Sequence, residues 1–215
     1  MITPALILDS REQWRPCAVE TILEVGATIN GYPVDMDNLP AAGGKIDFPK
    51  DMRQPEVPFV GYHRVKDAGS LWWHQFWLFW LYNPKVYAGF GAHEGDWEMV
   101  QLGCRDPEGN VPILMTCSQH GGGERREFWR TELTQNQPKV YAARDSHANY
   151  FEPHRDVTDQ ADGKLGELAM EWREFGDAGW VAWPGKWGNS DNSPGPLATR
   201  RAWLAPHAYH SQARG

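Results

Sequence analysis

The sequence predicts a mainly β protein: an antiparallel β-sandwich or closed sheet with a few peripheral helices and long loops. Two textures carry that reading. First, short apolar, aromatic or β-branched runs recur at residues 59–65, 71–82, 96–103, 111–118 and 139–143. Second, turn residues bound each run, among them Asp67-Ala-Gly69, Asn83-Pro84 and Asp106-Pro-Glu-Gly-Asn110. Strands spaced this way, with turn signals between them, suit a sandwich.

Taken in order, Ser10 and Gln13 resemble a capping box, and Pro16 can open a short helix turning Val19, Ile22 and Leu23 inward. Residues 26–58 are rich in Gly, Pro and Asp and read as a long irregular connection. Connections of that length in a compact domain usually cover or bind something. The run 71–82 is interrupted only by His74 and Gln75, a pattern that a buried helix shares; its Trp, Phe and Tyr content favours a strand. In 164–175, Leu165, Leu168, Ala169, Trp172 and Phe175 recur at three- and four-residue steps, which predicts an amphipathic helix against the sheet. From Trp180 onward, Pro and Gly predict a wrapping loop anchored by tryptophans.

Length and charge narrow the functions. At 215 residues without an internal repeat, the chain reads as a single domain over 1–215, with a core that needs no disulfide staples. Its 12 Trp exceed what such a core requires, so some are expected to line a pocket. With 21 basic against 28 acidic residues the net charge is -7, and no Lys or Arg run exceeds two, which argues against a nucleic-acid partner. Cys17, Cys104 and Cys117 lack metal-ligand spacing and read as buried small hydrophobes in a reducing compartment. The N-terminal residues lack the features of a signal peptide. As a helix the most apolar stretch would span only about 18 Å, short of a membrane span. A cytoplasmic protein with no transmembrane segment is therefore expected.

The chemistry concentrates in His93-Glu94-Gly95-Asp96-Trp97-Glu98. On a strand, Asp96, Glu98, Val100 and Leu102 share one face, and the two aliphatic residues make that face an interior one. Two carboxylates there need a cation or strong donors to stay ionised. A divalent metal would serve, with His93 able to reach the same point; pairing with arginines is the other solution. Oxygen-rich ligation favours Mg²⁺, Ca²⁺ or Mn²⁺ ahead of Zn²⁺. His120, before glycines, and His147, in Asp145-Ser-His-Ala-Asn-Tyr150, also follow strand-like runs. Asp156, Asp159 and Asp162 lack EF-hand spacing, and Asp162 reads as the cap of the following helix.

Several segments, in collinear order, resemble the vacuolar protein sorting-associated protein 62 family. They are Leu8-Asp-Ser-Arg-Glu12, Tyr62-His-Arg64, Tyr82-Asn-Pro84, His93 to Glu98, Ser118-Gln-His120, Ser146-His-Ala-Asn-Tyr-Phe151 and Ser193-Pro-Gly-Pro196. More distantly, the chain is similar to the necrosis- and ethylene-inducing-peptide-like proteins, secreted β-sandwich cytolysins with a Gly-His-Arg-His-Asp-Trp-Glu heptapeptide. That similarity implies a metal at His93, Asp96, Glu98 and His120. It departs at Glu94 and Gly95, where the heptapeptide has Arg and a second His.

The reading that follows is a divalent-metal-dependent enzyme acting on a small, partly apolar molecule, a hydrolase by default, with a lyase or cyclase also open. Asp96 and Glu98 hold the metal, and His147 or Glu94 acts as acid or base. Tyr62, Trp73, Trp77 and Tyr150 are the candidate substrate-binding residues. The alternative is a metal-bridged binding protein for a lipid head group, like the cytolysins.

Overall fold

The computed structural model describes residues 1–84, 91–119, 122–155, 159–176, 178–188 and 195–196. In chain order its strands are β1 Ala5–Leu8, β2 Thr28–Ile29, β3 Tyr32–Pro33, β4 Ile46–Asp47, β5 Val60–Asp67, β6 Trp72–Asn83, β7 His93–Cys104 and β8 Pro112–Gln119. They continue with β9 Gly122–Glu127, β10 Leu133–Thr134, β11 Gln137–Ala142, β12 Asn149–Tyr150, β13 His154–Arg155, β14 Gln160–Ala161 and β15 Glu171–Glu174. The mainly β expectation holds, and the run 71–82 falls on strand β6, Trp72–Asn83.

A six-stranded sheet ordered β15-β5-β6-β7-β8-β9 is the scaffold. Its long central pair, β6 and β7, runs antiparallel with Trp80 opposite Asp96 and Leu78 opposite Glu98. A second sheet joins β1, β11 and β10, with β12 paired to β11. Its β1–β11 pairing is parallel. Both faces of β7 are buried, because the pleat hands alternate residues to two different layers. Asp96 and Asn149-bound Ser118 mark the side that meets the 143–150 segment. Trp97 faces the other side, against Tyr62, Phe175, Trp180 and Trp187.

Register also produces a polar row across five strands: Arg64 opposite Gln75, Gln75 opposite Gln101, Gln101 opposite Thr116, and Thr116 opposite Arg125. Arg64 Nε donates to Gln75 Oε1 at 2.5 Å, and Gln75 Nε2 donates to Gln101 Oε1 at 2.9 Å. Arg64 and Gln75 thus find acceptors along the row, whereas Gln101 Nε2 and Thr116 Oγ1 are buried without a hydrogen-bond partner among the described residues.

Several local expectations are corrected. Residues 164–175 form no helix. Leu165 and Leu168 donate backbone bonds to Leu8 and Leu6, and Glu171–Glu174 pairs in parallel with β5. The three- and four-residue steps therefore mark contacts of a loop and an edge strand, not one helical face. Asp162 caps nothing helical and instead accepts from the Ser10 amide and hydroxyl at 2.8 and 2.5 Å. Ser10 is thereby tied to Asp162, so the capping box also fails. The helix after Pro16, α1, is one turn at Thr21–Glu24. Val19 and Ile22 are buried as expected, but Leu23 is exposed. The long connection 26–58 contains the small β3-β2-β4 sheet. Trp180, Trp183 and Trp187 are buried anchors, and all three cysteines are buried and free.

Candidate functional site

Gly95 shapes the start of β7. Its φ of +63° is left-handed, and a Cβ there would collide with the Trp187 carbonyl. Only glycine meets both demands without strain. The same kink breaks strand alternation, so that His93 reaches back to Asp96 three residues on, with Nε2 3.3 Å from Oδ1. The other ring nitrogen, Nδ1, lies 2.9 Å from the Gly91 carbonyl. Both His93 nitrogens therefore face acceptors.

The second oxygen of Asp96 receives His147. The 143–148 turn holds that ring, with Asp145 and His147 both at positive φ (67° and 55°). His147 N donates to Ala143 O, and Ala143 N donates to Ala148 O. His147 Nδ1 then lies 3.0 Å from Asp96 Oδ2. The ring stacks on Trp80 with centroids 3.9 Å apart and planes 2° from parallel. Burial pushes the Asp96 carboxyl upward, but the bonds from His147 and His93 more than reverse this and hold it well below the usual range. Asp96 is thus a carboxylate, and His147 Nδ1 carries the proton it donates.

The far side of His147 faces Glu12, whose Oε2 is 3.9 Å from Nε2. Glu12 is itself held by the amides of Gln13, Trp14 and Asp145, at 2.8, 2.8 and 2.6 Å. Below the turn, Asp159 accepts from the Ser146 and Tyr150 hydroxyls. The result is a buried carboxylate–imidazole–carboxylate line, braced from beneath, with His93 the more exposed member beside Asp96.

Glu98 shares the Asp96 face but turns to Ser118, whose hydroxyl donates to Glu98 Oε2. The same hydroxyl accepts from Met99 N at 2.9 Å and from Asn149 Nδ2 at 3.3 Å. Strand pairing between β7 and β8 runs from Val100–Cys117 to Cys104–Pro112, and beyond Val100 the Ser118 side chain takes over the bonding to β7.

The structure therefore brings His93, Asp96 and His147 together and sets Glu98 beside them on Ser118. Glu94 is half-buried, with its carbonyl packed against Gly188. His120 lies outside the described residues. Among the described residues no group of three or more His, Cys, Asp or Glu side chains is arranged to hold a metal ion. Tyr62 is in the core, its hydroxyl accepting from Val19 N at 2.8 Å. Trp77 packs on Phe175, and Trp73 lies under the Arg125 guanidinium. Tyr150 reaches Asp159 and stacks on His154. The residue missed by sequence reasoning is Glu12. Its only signal was its place in Leu8-Asp-Ser-Arg-Glu12, since its partner His147 is distant in the chain.

No protein-family model and no curated protein matches the chain. The resemblance to the vacuolar protein sorting-associated protein 62 family thus rests on its motifs. The fold is similar to solved necrosis- and ethylene-inducing-like proteins. NLPPya in complex with glucosamine aligns with a TM-score of 0.46 at 14% identity, covering 97% of this chain and 77% of that one. The non-toxic HaNLP3 protein aligns at 0.45 and 14%, covering 97% and 79%. Necrosis and Ethylene inducing Protein 2 from the causal agent of cocoa's Witches Broom disease aligns at 0.44 and 16%, covering 79% and 70%.

Proposed function

We propose that this chain is a binding protein whose site at the start of β7 takes a hard divalent cation and, through it, the polar head of a small molecule or lipid. The observation that carries the reading is the Asp96 carboxylate, buried yet ionised, with the partly exposed His93 beside it and His147 packed against its other oxygen. The donors fit a cation that keeps most of its water. His93 Nε2 and Asp96 Oδ1 are adjacent, and Mg²⁺ or Mn²⁺ needs few protein ligands where a closed Zn²⁺ site needs four. His93 and Asp96 would hold it, with Glu98 on the same face. The ion would supply a positive centre for ligand oxygens. The heptapeptide resemblance supports the same residues.

His147 has a positioning role in this reading. It has no exposed surface, is stacked on Trp80 and donates to Asp96, so it fixes the carboxylate rather than meeting a ligand. For the same reason the enzymatic reading loses its acid or base at this position.

A ligand histidine must be neutral, so cation binding through His93 weakens in acid. Calorimetric titration with Mg²⁺, Mn²⁺, Ca²⁺ and Zn²⁺ at neutral and acid pH tests this. One-site binding that weakens in acid and is lost in Asp96→Asn is expected. Glucosamine and lipid vesicles, added with and without the cation, then probe the head group. Unchanged cation binding in Asp96→Asn would place the site elsewhere.

A further inference from the structure

A cleft of about 470 Å³ opens on the other side of the 9–12 loop, lined by Ser10, Arg11, Arg155, Gln160, Asp162 and Lys164. Three of its six lining residues are cationic, in a chain whose net charge is -7. The single acid, Asp162, is already engaged. Its Oδ1 accepts from the Ser10 and Lys164 amides and its Oδ2 from the Ser10 hydroxyl.

Arg11 is held in place rather than free to swing. Its Nε and Nη2 each donate to Asp9 at 2.9 Å, and Nη2 also reaches Gln160 Oε1 at 3.1 Å. Asp9 is held in turn by the Arg11 and Asp162 amides. Burial pushes Asp9 up, but the Arg11 side chain and those amides overcome it and leave the carboxyl at about 2. The remaining guanidinium edge is therefore presented by a fixed frame. Gln160 accepts from Arg11 through its oxygen, which leaves its amide nitrogen as a donor. Arg155, opposite Gln160 in the β13–β14 pair, and Lys164 have no carboxylate partner among the described residues.

Asp9 answers the Arg11 charge, but Arg155 and Lys164 add positive charge to the same cleft, and such charges repel unless an anion joins them. Planar guanidinium groups with amide and ammonium donors match an oxyanion, and two arginines with one lysine match a phosphate better than a single-charge carboxylate. The volume leaves room for an organic group beyond the phosphate. We propose that this cleft binds a phosphomonoester, with Arg11, Arg155 and Lys164 on the phosphate and Gln160 and Ser10 toward the rest. The site is separate from the Asp96 site and does not depend on it.

Calorimetry and thermal-shift titration of the full chain with inorganic phosphate and glycerol 3-phosphate test the proposal. Vesicle sedimentation with phosphatidylcholine, with or without phosphatidic acid, tells a lipid source from a free ester. Saturable binding that weakens as salt rises is expected, because exposed charges are screened over about 8 Å at physiological ionic strength. Arg155→Gln with Lys164→Gln should weaken it at least about tenfold, since charge-assisted hydrogen bonds to phosphate are lost. Both side chains are exposed, so the variant should keep the wild-type melting profile. Phosphate binding should be the same with added divalent cation and with a chelator, which separates this site from the proposed cation site. Binding to phosphatidic acid vesicles alone supports a lipid phosphate, and binding of glycerol 3-phosphate supports a free ester. No binding of any probe by the wild type, or equal binding by the double variant, overturns the proposal.

Discussion

Among the described residues, histidines are buried in two places, with opposite consequences. At one, His147 sits between Asp96 and Glu12, and Asp96 also receives His93. At the other, His63 and His74 have each other: Nε2 of the first lies 3.1 Å from Nδ1 of the second, with rings stacked 5.3 Å apart. The nearest carboxylate to His63 is the exposed Glu174, at 4.0 Å. Burial and the neighbouring His74 charge push His63 down to about 4, and burial also lowers His74. An imidazole among carboxylates helps keep charge inside the protein, whereas an imidazole facing another excludes it. Only the first arrangement concentrates charge where a ligand can use it, so burial alone does not distinguish a functional histidine.

The sharpest way to break the contrast is Asp96→Asn. It removes the charge that both His93 and His147 face and leaves a buried donor cluster unanswered. Such losses cost about 3–5 kcal/mol. Chemical denaturation at neutral pH should show that drop, and a value under about 1 kcal/mol would mean that the cluster is not held by this carboxylate. Asp96 itself, with its folded pKa depressed, contributes stability that is full above the unfolded value near 4 and is lost as pH falls below it.

The His63–His74 pair should act in a different window. The folded form of His63 resists protonation, so stability is intact above the unfolded value of 6.5 and falls as pH drops from there toward about 4. That difference corresponds to on the order of 3 kcal/mol. His63→Phe, next to Phe76, removes the titrating ring and should flatten stability across that window in denaturation series. A slope as steep as the wild type's would assign the window to another group.

Ser118→Ala probes how the Asp96 face is joined to β8. It strips one hydroxyl from Glu98, Met99 N and Asn149 together, at a cost of about 1–3 kcal/mol for the groups left unsatisfied. Faster amide exchange at Met99, with the His63–His74 strands unchanged, is the expected signature. The smallest effect belongs to Trp129→Ala. The ring is 78% exposed and should contribute within about 0.5 kcal/mol.

The amino-acid sequence by itself determined the central strands and the Asp96 face. Alternation along β7, aromatic density along β6 and turn residues between them are local signals, and local signals survive without a fold. It did not place His93 beside Asp96: on a regular strand a three-residue separation points them to opposite faces, and the Gly95 kink brings them together. Tertiary structure alone decided the remainder. Gly95 had to be glycine because the Trp187 backbone passes against it, a contact that spans 92 residues. Glu12 joined the site through His147 and the Asp145 amide, 133 residues further on. The stretch 164–175 carried helical spacing, yet β5 and β1 offered open edges, and its backbone bonds went there. A parallel edge strand leaves no periodic trace of its own, since its partner is chosen by what the rest of the sheet leaves unpaired.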